Sequence, residues 1–149
     1  MPAEVLLVED DPADAEPMFN ALREVLESAR IARARDGAEA LDSLAARGTD
    51  AYRASHPTPR LILLDLKLPR IDGIEVLKHI KTNAATMSIP VVVLTSSSQD
   101  ADLVRSYQLG ANGYVRKPMT IEGFRALVQE LGRFWLQMIH PVRNPDARA

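Results

Sequence analysis

The chain contains no cysteine, which excludes disulfide bonds, thiolate nucleophiles and structural zinc–sulfur sites. It also lacks an excess of charge of one sign, because 18 basic residues stand against 20 acidic ones and the net charge is −2. A nearly neutral chain offers no global electrostatic reason to bind nucleic acid or an anionic membrane. Any strongly charged site must therefore be local.

Long hydrophobic runs are missing as well. No segment approaches the ~20 apolar residues that a membrane-spanning helix needs. The first apolar run, Val5–Val8, is short and is followed by acids, so it does not have the form of a signal peptide. The 149 residues suit one folded domain. We therefore expect a soluble cytoplasmic protein that has neither membrane nor nucleic acid as a partner.

Short apolar runs that end in acids or hydroxyls are the most informative pattern present. There are three of them: Leu61–Leu64 before Asp65, Val5–Val8 before Glu9-Asp10-Asp11, and Val91–Leu94 before Thr95-Ser96. Such runs are typical of strands that are buried on both faces, and in open α/β sheets ligands bind outside the carboxyl ends of the strands. The sequence therefore predicts that these polar side chains meet at one edge of a sheet.

Segments with helical periodicity separate these strands. The expected order is a strand at Val5–Val8, a helix from about Pro12 to Ser28, a strand at Ile31–Ala34, a helix from Ala38 to about Gly48, a strand at Leu61–Leu64, a helix from Gly73, a strand at Val91–Leu94, a helix from Gln99 to about Leu109, a strand at Tyr114–Val115 and a helix from Thr120 to Met138. The stretch between Gly48 and Arg60 has two prolines and no clear period, and we expect an exposed loop there. Strands that alternate with helices predict a doubly wound α/β fold with a five-stranded parallel sheet, because parallel strands need crossover connections.

The predicted edge has the composition of a magnesium and phosphoryl site. Magnesium prefers oxygen ligands and keeps several waters, so one or two carboxylates suffice, and we expect Asp10 and Asp65 to be direct ligands. Clustered carboxylates repel one another until a divalent cation neutralises them. Asp65 is also the natural nucleophile, since a carboxylate can form an aspartyl phosphate.

Positive charge and hydrogen-bond donors are needed around a phosphoryl group during its transfer. The metal, the Lys117 ammonium and the hydroxyls of Thr95 and Ser96 could supply them. Lysines are mostly solvated surface residues, but the position of Lys117 after a strand and before Pro118 favours the site.

Other charged residues are expected to have structural roles only. Asp11 precedes Pro12 at the start of a predicted helix, where an acid caps the helix and favours its dipole. Arg33 and Arg35 are expected to form a solvated edge of the second strand.

Four groups of residues, in this order, resemble the receiver domains of two-component response regulators over about Ala3 to Leu136. They are Val8–Asp11, Leu64–Pro69 with Asp72-Gly73, Val93–Ser96, and Gly110–Pro118. The resemblance implies a (βα)5 flavodoxin-like receiver fold with strand order 2-1-3-4-5. It also implies a receiver domain over residues 1–138, a flexible tail over 139–149 and no effector domain.

The resemblance assigns roles to the metal-binding residues. It implies that Glu9, Asp10 and Asp65 hold Mg²⁺, for which Mn²⁺ can substitute, and that the main-chain carbonyl of Lys67 completes the metal shell. It implies further that Asp65 accepts the phosphoryl group from a sensor histidine kinase.

The resemblance also implies a switch. Thr95 bonds the phosphoryl group, Lys117 forms an ion pair with it, and Tyr114 changes rotamer with the activation state. We therefore predict a phosphoacceptor signalling protein that undergoes only self-phosphorylation and autodephosphorylation.

More narrowly, the long loop before the Asp65 strand, the stretch Arg35–Leu41 and the terminal Phe134–Leu136 resemble stand-alone receivers that partner bacterial phytochrome kinases. Output would then come from a surface made by the fourth helix, last strand and last helix, used for homodimerisation or partner docking. The last helix carries more large apolar residues than one buried stripe requires: Phe124, Phe134, Trp135 and Met138. Interface and core packing are about equally good explanations for them.

Other functions share parts of this pattern. Haloacid-dehalogenase phosphatases also form an aspartyl phosphate, but they require a second Asp two residues after the nucleophile. This chain has Lys67 there, which argues against a phosphatase. No G-x-G-x-x-G motif follows the first strand, which argues against a dinucleotide-binding module. An intermediate phosphate shuttle or sink in a phosphorelay stays open beside an end-point switch.

Overall fold

The computed structural model describes residues 4–26, 29–46 and 58–139. Its strands are β1 (Glu4–Val8), β2 (Arg30–Ala34), β3 (Pro59–Leu64), β4 (Val91–Thr95) and β5 (Gly113–Arg116). All neighbouring strands are parallel, and they form one sheet in the order β2-β1-β3-β4-β5. The predicted fold class and strand order are therefore confirmed.

In the described part of the chain, one α-helix follows each strand. The helices are α1 (Pro12–Val25), α2 (Gly37–Ala46), α3 (Gly73–Thr82), α4 (Asp100–Gln108) and α5 (Ile121–Arg133). Asp11, Asp72 and Thr120 cap α1, α3 and α5, because their side-chain oxygens accept hydrogen bonds from first-turn N–H groups. The role expected for Asp11 is thus confirmed.

The two faces of the sheet carry separate cores. Alternate residues of each central strand point to opposite faces, so Leu6 of β1 packs with α2 and α3, while its neighbour Leu7 packs with α1 and α5. Both faces are covered by helices, and this explains why β1, β3 and β4 are continuous apolar runs.

Several element boundaries differ from the sequence prediction. Helix α1 ends at Val25, because Leu26 leaves the helical conformation to start the connection to β2. Strand β3 begins at Pro59, inside the stretch that we expected to be a loop. The other elements start or end within about two residues of the prediction, but residues 47–57 and 140–149, which hold most of the expected loop and tail, lie outside the described part of the chain.

The last predicted helix is not uniform. It is α-helical from Ile121 to Arg133 and then continues as a π-helical turn, Phe134–Met138. Core packing explains some of its large apolar residues, and exposure at a possible interface explains others. Phe124 is buried and Trp135 packs against the core, whereas Met138 is 74% exposed.

The described helices include none that is long and apolar enough to cross a membrane.

Candidate functional site

Parallel pairing of β1 with β3 brings two acids to the carboxyl edge of the sheet. Val8 is aligned with Leu64, the last residues of the two strands, and the Asp65 N–H donates to the Val8 carbonyl at 3.0 Å. Glu9 follows Val8 in the same way and donates its N–H to the Ala34 carbonyl of β2. The backbone therefore fixes Glu9 and Asp65 side by side before any side-chain contact is made.

The carboxylates of Glu9, Asp10 and Asp65 form a compact cluster, called the carboxylate cluster below. Each offers a carboxylate oxygen, and these oxygens all lie within 4.8 Å of one another. Glu9 and Asp65 are buried and Asp10 is exposed, so the cluster opens to solvent on one side. Hard oxygen donors with room for water ligands fit Mg²⁺ or Mn²⁺.

Lys117 lies directly against this cluster. Its ammonium Nζ is 2.5 Å from Glu9 Oε1, 2.8 Å from Asp14 Oδ2 and 3.4 Å from Asp65 Oδ2. The Lys117 N–H donates to the Thr95 carbonyl at 2.8 Å, which extends the pairing of β4 with β5 and fixes where the side chain starts. The structure therefore places this lysine beside the carboxylate cluster.

Burial decides the pKa of Glu9 but not that of Lys117. It raises the pKa of Glu9 to about 8, since the stabilising contact with Lys117 offsets desolvation and the nearby Asp65 charge only in part. For Lys117, burial lowers the pKa, but the hydrogen bonds to Asp14 and Glu9 outweigh it and the net pKa is raised. Near neutral pH the Glu9 carboxyl therefore holds a proton that a metal ion would displace, while Lys117 stays charged.

Metal affinity is expected to depend on pH through Glu9. A metal ion needs the Glu9 carboxylate, so below its pKa of about 8 binding must expel a proton. The apparent association constant for Mn²⁺ should rise about tenfold from pH 7 to pH 9 and level off above the pKa. Mn²⁺ titrations followed by electron paramagnetic resonance measure it.

Glu9→Gln is the control for this dependence, because the amide cannot titrate. It should bind Mn²⁺ more weakly but with a nearly constant affinity over the same pH range. An equally steep pH dependence in this variant would assign the proton to another group.

The hydroxyl residues predicted after β4 occupy different environments. Thr95 is fully buried, and its Oγ1 accepts from the Ser97 N–H at 3.3 Å. Ser96 is exposed. Tyr114 donates its hydroxyl to the Ser97 carbonyl at 3.3 Å. Ser97 thus contacts both residues predicted to switch, and the sequence pattern did not single it out.

Lys67 follows Asp65 in the loop that leads to α3. Its N–H donates to Asp65 Oδ1 at 3.4 Å, while its side chain is exposed. Nearby, Arg70 has a positive φ of 70°, an uncommon conformation for a residue with a side chain. The loop is therefore held in a defined, tight shape beside Asp65.

Two further residues reach the site without having been predicted. Asp14 of α1 contacts Lys117, as described above. Arg33 is not the solvated residue that we expected: its guanidinium donates to the Glu9 carbonyl at 3.2 Å and to the Asp10 carbonyl at 3.3 Å. A charged group that binds two consecutive carbonyls braces the backbone that carries the acids. Arg35 is exposed, as expected.

The sequence profile of the response regulator receiver domain matches residues 5–129. The chain belongs to this family. Receiver domains bind Mg²⁺ at an acidic pocket, and the carboxylate cluster of this receiver domain fits that ion.

Similar proteins include phytochrome response regulators. The receiver domain is 40% identical to response regulator Rcp1 of Synechocystis sp. over 138 residues, which cover 93% of this chain and 92% of Rcp1. The phosphorylated cyanobacterial phytochrome response regulator RcpA is similar in structure, with a TM-score of 0.88 and 35% identity over 96% of this chain and all of RcpA. The Mn²⁺-bound form of Rcp1 has a TM-score of 0.81 and 38% identity, covering 95% of this chain and all of that one. The predicted resemblance to phytochrome-associated receivers is confirmed.

Proposed function

We propose that this receiver domain takes a phosphoryl group from a sensor histidine kinase onto Asp65, in a Mg²⁺-dependent reaction, and signals by a change in conformation. The proposal rests on the position of Asp65 between two groups. This carboxylate belongs to the carboxylate cluster and also lies 3.4 Å from the Lys117 ammonium. A nucleophile between a metal site and a fixed cation is what phosphoryl transfer requires.

Each residue at the edge has a part in the proposed step. An Asp65 oxygen attacks phosphorus, the bond between phosphorus and the donor nitrogen breaks, and the donor imidazole takes up a proton. Glu9, Asp10, Asp65 and the Lys67 carbonyl would hold Mg²⁺, which neutralises charge on the phosphoryl oxygens. Lys117 would pair with one of those oxygens.

The proposed switch passes through Ser97. A phosphoryl group on Asp65 adds charge of about −2 and attracts hydroxyl and N–H donors. If the Thr95 hydroxyl, with Ser96, turns to this group, the Ser97 N–H loses its present acceptor. Ser97 in turn holds Tyr114 through its carbonyl and Asp102 of α4 through its hydroxyl. A local change would thus shift populations on the α4–β5 side of the domain.

Similarity to Rcp1 and RcpA supports a phytochrome kinase as the donor, and the proposal includes a cytoplasmic location shared with the kinase domain. An end-point switch is preferred to a hydrolase, because Lys67 stands where an aspartyl-phosphate phosphatase would need an acid. The protein would then catalyse only its own phosphorylation and dephosphorylation.

Incubation with a small phosphodonor and Mg²⁺ tests the proposal. The expected result is one acid-labile phosphoryl adduct per chain, mapped to Asp65 by reductive trapping and mass spectrometry, and no adduct in the presence of a chelator. Failure to form the adduct, with the donor and with phosphorylated phytochrome kinase, would refute it. Onward transfer to a histidine phosphotransfer protein would instead indicate a relay intermediate.

We also propose that the last helix and its neighbouring surface form a homodimer. Exposed apolar side chains lie on this side of the domain: Val104 and Tyr107 on α4, Met119 just before α5, Ile121 at its start, and Phe134 and Met138 in the π-helical turn that follows it. Exposed apolar side chains of this number favour an interface.

Met138→Glu is expected to weaken this dimer about tenfold, because it introduces a charge into an apolar contact. Light scattering over a protein concentration series, before and after phosphorylation, measures the effect. Met87→Glu is the matched control, since Met87 is an equally flexible exposed methionine, 53% accessible, outside this surface. Equal effects of the two variants would contradict the proposed interface.

A further inference from the structure

Lys117 has a partner that the proposed chemistry does not use. Its ammonium is 2.8 Å from Asp14 Oδ2, which is closer than its 3.4 Å separation from Asp65 Oδ2. The Lys117 side chain is only 10% exposed, so its few hydrogen bonds are made within this group of acids. Asp14 therefore neutralises part of the Lys117 charge, and that part is not available to a phosphoryl group on Asp65.

Asp14 is not needed to build the helix on which it lies. It is in the first turn of α1, where any acid interacts favourably with the helix dipole. The cap itself is Asp11, whose Oδ1 accepts from the Ala13 N–H at 2.9 Å. Helix stability thus accounts for an acid in this turn but not for the contact between Asp14 and a lysine from the far side of the site.

Asp14 is also not a member of the carboxylate cluster. The group of carboxylates close enough to share a metal ion, among the described residues, consists of Glu9, Asp10 and Asp65. A metal ion would draw on Glu9 and so leave Asp14 as the remaining carboxylate partner of Lys117. With Mg²⁺ in the carboxylate cluster, Asp14 would therefore keep its contact with the lysine rather than release it.

We propose that Asp14 is a positioning residue that restrains phosphorylation of Asp65 by competing for Lys117. This inference rests on the proposed phosphoacceptor function. Phosphorylation replaces the single charge of Asp65 by a group of about −2, so every nearby carboxylate opposes it. Asp14 opposes it twice, through its own charge and through the part of the Lys117 charge that it retains.

Asp14→Asn is expected to speed phosphorylation. With a small anionic phosphodonor and saturating Mg²⁺, the second-order rate constant should increase about two- to fivefold, the size expected for a partly exposed ion pair. The increase should shrink at high ionic strength, because the effect is electrostatic. A change that only loosened α1 would not depend on salt in this way.

Two variants separate this effect from net charge. Asp11→Asn removes the same charge three residues away and keeps a good helix cap, but Asp11 does not touch Lys117 in the described contacts. It should change the rate constant much less than Asp14→Asn. Asp14→Glu, which retains the carboxylate, should restore a rate near that of the natural protein.

The contact itself can be tested without phosphorylation. Nitrogen-15 nuclear magnetic resonance of the lysine ammonium groups should show slow proton exchange for Lys117 in the natural protein and in Asp11→Asn, and faster exchange in Asp14→Asn. Equal exchange in all three, or equal phosphorylation rates of the two asparagine variants, would overturn the role of Asp14. If the natural protein shows the contact but never forms an adduct, the proposed function fails, and the restraint that rests on it fails too.

Discussion

Asp65→Asn is expected to abolish phosphoryl uptake, with a loss of about a thousandfold or more in the rate of adduct formation. The amide has almost the size of the carboxylate but no anionic oxygen to attack phosphorus. It also removes one ligand of the carboxylate cluster, so Mn²⁺ should bind more weakly. Mass spectrometry after incubation with phosphodonor and Mg²⁺ measures the adduct, and the Mn²⁺ titration measures the second effect.

Asp72→Asn is the matched control for this loss. Asp72 is an exposed acid seven residues later, and its side chain caps α3, a role that asparagine performs equally well. This variant should be phosphorylated at the natural rate. If instead Asp65→Asn still gave an acid-labile adduct at the natural rate, the acceptor would be another carboxylate and the proposed chemistry would be wrong.

The sheet could be predicted from the sequence because it needs only local patterns. Val5–Val8, Leu61–Leu64 and Val91–Leu94 are apolar at every position, and this is what a strand covered on both faces requires. A carboxylate that directly follows such a run must lie at the carboxyl edge of the sheet. The positions of Glu9 and Asp65 therefore followed from the strands.

Contacts that depend on how distant elements pack could not be predicted in this way. Asp14 is the acid of the first turn of α1, a common place for an acid, and nothing in its neighbourhood indicates that α1 will place it beside Lys117, 103 residues later. Arg33 alternates with small residues on β2, a pattern that also suits a solvated edge. Its contact with the backbone of Glu9 and Asp10 exists because β2 pairs with β1 in a particular register.

Gly73→Ala is expected to destabilise the fold by about 3 kcal/mol, although alanine is the better helix former. A Cβ atom on Gly73 would lie 2.3 Å from the Asp65 carbonyl oxygen and 2.5 Å from Leu66 Cα, both backbone atoms that cannot rotate away. The Gly73 N–H also donates to the Leu66 carbonyl at 2.9 Å, so the close approach is what ties the loop after Asp65 to α3. Urea unfolding at constant pH measures the loss.

The same substitution should damage the site as well as the fold. Leu66 lies between Asp65 and Lys67, and displacing its backbone moves both, so Mn²⁺ affinity and phosphorylation rate should fall in the molecules that remain folded. Gly113→Ala is the control, because a Cβ there would meet Val92 methyl groups at 3.6 Å, an ordinary packing distance. That variant should be neutral or gain up to about 1 kcal/mol, since alanine has less backbone entropy to lose than glycine. If the two variants had equal stability, the approach of Gly73 to the backbone of Asp65 would not be a constraint, and the tight loop could not be what holds Asp65 in place.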